Sequence, residues 1–196
     1  MSIHCDDLQK LNSALESFIV LKTIPSLSFI LGEPIIHLLR KPQEIPIMNL
    51  DSIVSNLEEM NIMSAVYVKC TGDLRIGVLL YLPEKESKTL AAKLLDKPGL
   101  NELDGIATSS ISEVGNILTA SIINAISMDK GYRICSSVPG YAVEFFTTLL
   151  EAVVSDFANE SDTLLVSNVE LCGLNSGIKI HMLLIQDPVE LRKLVI

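Results

Sequence analysis

One order of elements runs through this chain twice. Leu8, Leu11, Leu15, Phe18, Ile19 and Leu21 recur near the helical period, which predicts a helix over 6–21. A strand follows at 34–39 and a short helix at 50–59. A β-hairpin comes next, its arms at 65–70 and 74–82 meeting at Gly72-Asp73. Pro83 then opens a helix that reaches 95, with Glu84 and Glu86 near its positive end. Beyond Lys97-Pro98-Gly99, the best candidate linker, the order returns. A long helix at 106–128 is ended by Gly131. A strand at 132–138 and a helix at 141–157 follow. A second hairpin, 164–172 with 178–185, turns around 173–177, and Pro188 precedes a short helix holding Leu191 and Leu194. Pro83 and Pro188 thus close their hairpins at matching points. Side-chain identity between the halves is low, so the repeat is one of architecture. Two such halves, 1–98 and 99–196, are expected to form a single α/β (α+β) domain. Their strands share one mostly antiparallel sheet, with the long helices packed on one side.

Charge and composition remove several classes of function. The net charge is -9 and the pI about 4.8, so the chain lacks the Lys and Arg that nucleic-acid phosphates require. No basic run offers a polybasic membrane tether. The N-terminus has neither the basic flank nor the apolar stretch of a signal peptide. The apolar segment between Lys22 and Glu33 is interrupted by Pro25 and reads as too short to cross a bilayer. Cys5, Cys70, Cys135 and Cys172 are far apart, and His4, His37 and His181 equally so, which leaves no metal-ligand spacing. Reduced thiols in a cytoplasmic protein is the reading that follows. There is no G-x-S-x-G elbow, P-loop or G-x-G-x-x-G. With 5% aromatic residues and no Trp, a sugar- or base-stacking site is not indicated.

One helix does carry a polar constellation. Ser109, Glu113 and Asn116 stand at i, i+4 and i+7 of the long second-half helix, on one stripe. Ile111, Val114, Ile117 and Leu118 point the other way, toward a core, so the stripe is exposed on an anchored helix. Gly115 removes a side chain beside Asn116 and would let a partner's backbone approach. A carboxylate there can pair with a partner's cation. A carboxamide, with both donor and acceptor, can hold a water in a chosen orientation, as a glutamine does in GTPases. Thr108, Ser109, Ser110 and Ser112 have no base placed to activate them and read as helix-start and surface hydroxyls.

Ser109, Glu113 and Asn116, followed by Pro139, resemble the signature of the CheC/CheX/FliY phosphatases, which is Asp or Ser, Glu, Asn and Pro at these same gaps. The wording Glu113-Val114-Gly115-Asn116-Ile117 resembles that family's Glu-Ile-Gly-Asn-Ile core. At everyday residue frequencies such a match arises in roughly a few chains per thousand of this length. The resemblance extends over essentially the whole chain, because CheC-type members also consist of two pseudo-symmetric halves. It implies hydrolysis of the phosphoaspartate of a CheY-type receiver. Glu113 would bridge a receiver lysine, Asn116 would hold the attacking water, and Ser109 and Pro139 would support them. The chain would need no cofactor of its own, since the Mg²⁺ sits on the phosphorylated partner. CheD as a further partner and a homodimer through an edge strand, as in CheX-type relatives, are left open. So is the alternative of a non-catalytic adaptor, binding CheD or a receiver or serving as a flagellar-switch module.

The first half departs from the pattern. Laid on the same spacing, it offers Asp7, Leu11, Ala14 and His37, of which only Asp7 fits. Leu11 falls in the apolar spacing of its helix and is expected in the core. One active site is therefore expected, in the second half.

Overall fold

The computed structural model describes residues 5–49, 62–157, 162–190 and 193–194. The helix expected at 50–59 lies outside the described residues, as does Leu191.

Helix α1 (Cys5–Phe18) does not stop where the sequence suggested. It passes through a π-helical turn, Ile19–Thr23, straight into α2 (Ile24–Leu31). Pro25 is the reason for the turn. It has no N–H to give, and its ring crowds the carbonyl four residues back, so the ladder opens by one residue there and closes again. Gly32, at φ 65°, ends the helix in the left-handed region. The continuous helix of 27 residues replaces the short interrupted segment expected, and it is long and apolar enough to cross a membrane, as is α4 (Gly105–Lys130). A core helix has the same composition. Leu11, Leu15, Phe18, Ile19, Leu27 and Leu31 are in fact packed inside, as are ten residues of α4.

Strands β1 (Ile35–Leu39) and β2 (Gln43–Pro46) follow. The second was not anticipated, because Pro42 precedes and Pro46 ends a run of only four residues. Next come β3 (Ile62–Gly72), β4 (Ile76–Pro83) and α3 (Glu84–Leu94), with Pro83 at the N-cap. Asp104 caps α4, its carboxylate accepting from the backbone N–H of Ile106 at 3.0 Å and Ala107 at 2.8 Å. Gly131, at φ 70°, ends α4 and turns the chain into β5 (Ile134–Ser136).

The expected helix at 141–157 is corrected. Its first part is strand β6 (Gly140–Phe145), and α5 begins only at Phe146 and runs to Ser155. Tyr141, Val143 and Phe145 suit a strand, and β6 finds a full ladder on β3, from Ile62↔Phe145 to Tyr67↔Gly140. The helical apolar set proper is Phe146, Leu149, Leu150, Val153 and Val154, all buried. Strands β7 (Thr163–Gly173) and β8 (Lys179–Gln186) end the sheet, and a short 3₁₀ turn occupies Pro188–Glu190.

All pairings are antiparallel. The main order is β1-β7-β8-β4-β3-β5, with β2 also on β7 and β6 also on β3. This order reads the same from either edge: a two-piece edge strand, a hairpin, a second hairpin, a two-piece edge strand. Each edge strand is laid on the hairpin of the opposite half. Helices α1 to α4 pack one apolar layer on one face, through Val66, Val68, Leu80, Leu82, Val169 and Met182. Among the described residues, helix α5 is the helix that covers the other face, against Met63, Ala65, Leu79, Tyr81 and Leu183.

Glu33 ties this arrangement together beside the first edge. Its carboxylate is buried and accepts from Lys93 Nζ at 2.8 Å and from the backbone N–H of Asn175 and Ser176 at 2.6 and 2.8 Å. The Lys93 ammonium, and then Ser176, hold its pKa down at about 2.

Candidate functional site

Helix α4 lies on β3, and one residue sets how close it comes. A Cβ at Gly115 would meet Val66 Cγ1 at 2.5 Å and Val66 Cβ at 2.7 Å. Gly115 is therefore buried against the sheet, and it seats the helix rather than opening a path for a partner as the sequence suggested. The turns around it are fixed by Ile111, Val114, Leu118 and Ile122, all buried. That leaves Ser109 and Glu113 exposed and Asn116 half-buried, on the outward stripe. Among the described residues neither Glu113 nor Asn116 has a hydrogen-bond partner. Both are free to engage a second molecule.

The hydroxyls at the head of the helix are committed to its own backbone. Thr108 Oγ1 and Ser109 Oγ donate to Gly105 O at 3.2 and 2.7 Å. Ser110 Oγ donates to Ala107 O and Ser112 Oγ to Thr108 O, at 2.7 and 2.9 Å. None is arranged as a nucleophile, and the cap itself is Asp104.

Pro139 stands on the edge beside this helix. Val66, under Gly115, is paired with Tyr141, and Tyr67 with Gly140. Pro139 is the next residue along that edge. Between Ser136, opposite Cys70, and Gly140, opposite Tyr67, lie three residues facing two on β3. The edge strand therefore carries a one-residue bulge at Ser137-Val138-Pro139. Its base is pinned: Ser137 N–H donates to Lys69 O at 2.8 Å, and Lys69 N–H donates to Ser137 Oγ at 3.1 Å. Tyr141 faces α4 and donates its hydroxyl to Ser64 Oγ at 3.2 Å, while burial pushes its pKa up. Register thus sets the end of the bulge two residues along the edge from Tyr141, the partner of Val66 under Gly115. No sequence signal announced the bulge, because it exists only relative to β3.

The first half has the same frame and different residues. Leu11, Leu15 and Phe18 of α1 and Ile19 of the π turn are buried at the spacing of Ile111, Gly115, Leu118 and Thr119 of α4. On that match Gln9, Ser13 and Glu16 stand where Ser109, Glu113 and Asn116 stand. Spacing alone had offered Asp7, Leu11 and Ala14, but Leu11 is 1% exposed, in the core as its periodicity indicated. His37 is likewise not the counterpart of Pro139. Leu39 pairs with Val169 and Gln43 with Val166, so Arg40-Lys41-Pro42 is a one-residue bulge of the same form, and Pro42 takes the proline's place. His37 instead meets Glu16, Nε2 to Oε1 at 2.7 Å.

No family model matches the chain. No curated protein matches it either. Solved structures do. Thermotoga maritima FliY superposes with a TM-score of 0.75 at 19% identity, covering 99% of this chain and 96% of that one. CheX in the Borrelia burgdorferi CheX–CheY–BeF3–Mg complex gives 0.53 at 14%, covering 94% of this chain and 100% of that one. FliM from the H. pylori FliM–SpeE complex gives 0.66 at 11%, covering 98% and 96%. With helices on an antiparallel sheet of this order, the chain has the fold shared by FliY, CheX and CheC-like proteins.

Proposed function

We propose that this chain is a cytoplasmic phosphatase for the phosphoaspartate of a CheY-type receiver domain. The observation that carries the reading is the pair itself: Glu113 and Asn116, unpartnered, on the outward stripe of a helix locked to the sheet by Gly115 on Val66. The carboxylate of Glu113 pairs with a receiver lysine and fixes the docked pose. The Asn116 carboxamide accepts a hydrogen bond from the attacking water through its oxygen and donates one through its nitrogen toward the phosphoryl group. Water adds to phosphorus while the bond to the aspartyl oxygen breaks, giving inorganic phosphate and a free carboxylate. The Mg²⁺ that neutralises the phosphoryl charge belongs to the receiver. The chain's own part is positioning, which can supply up to roughly 7–11 kcal/mol in the best cases. Ser109 and Pro139 act in support: Ser109 bonds back to Gly105 in the first turn, and Pro139 ends the bulge.

We read the two halves as a duplicated unit within one domain, with the site kept only in the second. CheD and a second copy of the chain are further candidate partners on this reading. Nucleic acid and membrane are not. The test is the decay of a phosphorylated receiver with and without the protein. Asn116→Ala should abolish the acceleration and Glu113→Ala should weaken it. If both variants act like the native chain, the mechanism is wrong.

The second reading is a non-catalytic adaptor of the flagellar-switch kind. It is favoured by the FliM likeness, at a higher TM-score than that of CheX, and by the absence of the pair from the first half. Binding of a receiver or CheD with no change in phosphate lifetime would decide for it.

A further inference from the structure

Two apolar side chains flank the Glu113–Asn116 pair in water. Ile106 is 59% exposed and Val138 87% exposed. Ile106 begins the stripe that continues through Ser109, Glu113 and Asn116, one helical face at i, i+3, i+7 and i+10. It lies about 15 Å up the helix from Asn116 at 1.5 Å per residue. Val138 lies on the other side of the pair. Gly131 turns the end of α4 directly into β5, which pairs with the end of β3 at Gly72↔Ile134, so the bulge lies level with turns of α4 beyond Gly115.

The bulge also decides where Val138 points. Ser136 contacts buried Cys70 on the α4 face, and alternation from Ser136 carries Val138 to that face. Alternation back from Tyr141 carries Pro139 there too. A regular strand places only one of two neighbours on a given face. The extra residue lets both fall on the face of the sheet that carries α4.

The first half supplies the control. At the positions of Ile106 and Val138 it has Asp6 and Lys41, both exposed and charged. The frame, the bulge and the proline are the same there, so the fold does not ask for apolar residues at these places. At these two matched positions only the half that holds Glu113 and Asn116 is apolar.

We propose that Ile106 and Val138 are the apolar anchors that seat the phosphorylated receiver across the pair. The inference rests on the phosphatase reading for its occupant, and it names how that occupant is held. A standard interface of about 800 Å² per partner spans such a distance comfortably. Apolar anchors of this kind bind substrate and transition state alike, so their loss raises KM and spares kcat. Asn116 acts on kcat.

The experiment measures two things on Ile106→Ser, Val138→Ser and the double variant. One is steady-state decay of a phosphorylated CheY-type receiver. The other is the Kd for the same receiver loaded with beryllofluoride and Mg²⁺. Each single variant should raise KM and Kd about tenfold, with kcat within twofold and the unfolding midpoint unchanged. Asp6→Ser and Lys41→Ser should leave Kd as it is. An unchanged Kd in both single variants overturns the proposal, whatever the decay assay shows. So does equal weakening by the first-half variants, or a chain that dimerises through Val138. If the native chain binds the loaded receiver but does not speed decay, the phosphatase reading fails, while a tenfold rise in Kd in the variants still upholds the anchors.

Discussion

Gly115→Ala is the substitution whose consequences follow most directly from the packing. In an exposed helix the change would stabilise by about 1 kcal/mol, because glycine is the poorer helix former. Here the new methyl would lie 2.5 Å from Val66 Cγ1, more than 1 Å inside normal contact. Either Val66 turns off its rotamer or the helix lifts from β3, at an overpacking cost of about 1–3 kcal/mol. The net expectation is a loss of up to about 2 kcal/mol. If the helix lifts, Asn116 moves with it, and a displacement near 1 Å is worth about 10²-fold in rate. Val66→Ala removes the two methyls at 2.5 and 3.1 Å but keeps Cβ, 2.7 Å from the new carbon, so it relieves the contact in part. Alone it leaves a cavity and destabilises. Combined with Gly115→Ala it should cost clearly less than the sum, a coupling of about 1 kcal/mol or more. Urea unfolding of the four proteins measures the coupling, and receiver decay measures the site. Additive losses in the unfolding cycle would refute the contact as the determinant of helix seating. A fully active, fully stable Gly115→Ala would refute it as well.

Other perturbations test other parts of the frame. Glu33 has its pKa held at about 2 in the folded state against 4.5 ordinarily. Its contribution is therefore complete above pH 4.5 and lost as pH falls from there toward 2. The urea midpoint of the native chain should drop more steeply through that window than that of Glu33→Gln, and parallel curves would show the carboxylate is not the cause. Asp104→Ala should lower stability by about 1 kcal/mol by uncapping Ile106 and Ala107, read by chemical denaturation. Phe146→Ala should cost about 3–5 kcal/mol, since the ring is fully buried and lies 4.4 Å from the ring of Tyr81. Loss of α5 packing without loss of the receiver site would appear as a lower melting point with the decay rate intact at low temperature.

The polar stripe of α4 was legible in the sequence because helical spacing alone sorts Ser109, Glu113 and Asn116 from the residues that pack. The two hairpins were legible because their turns and β-branched runs are local. What failed depended on partners distant in the chain. Tyr141–Phe145 carries residues that suit either a strand or an amphipathic helix, and β3 decides between them through its ladder. The bulge at 137–139 has no composition of its own. It is one residue too many for a pairing partner some seventy positions away, as the bonds between Ser137 and Lys69 show. Gly115 illustrates the same limit. A glycine in a helix permits close approach on whichever side it faces, and only Val66 says which side that is.

The comparison of the halves failed for a subtler reason, and the failure is informative. A motif transferred by spacing assumes that nothing is inserted between its parts. The π turn that accommodates Pro25 inserts one residue, and β1 runs further before its bulge than β5 does. Register must instead be taken from burial, where Leu11, Leu15, Phe18 and Ile19 answer to Ile111, Gly115, Leu118 and Thr119. On that basis the core spacing agrees between the halves while the outward residues do not. Glu113 corresponds to Ser13, Asn116 to Glu16, Ile106 to Asp6 and Val138 to Lys41. The Glu16 carboxylate can accept but not donate, it is already engaged by His37, and its charge repels a phosphoryl group. A first half built this way keeps its place through its buried residues and its ladders on β7, which leaves its surface unconstrained by the chemistry proposed for α4.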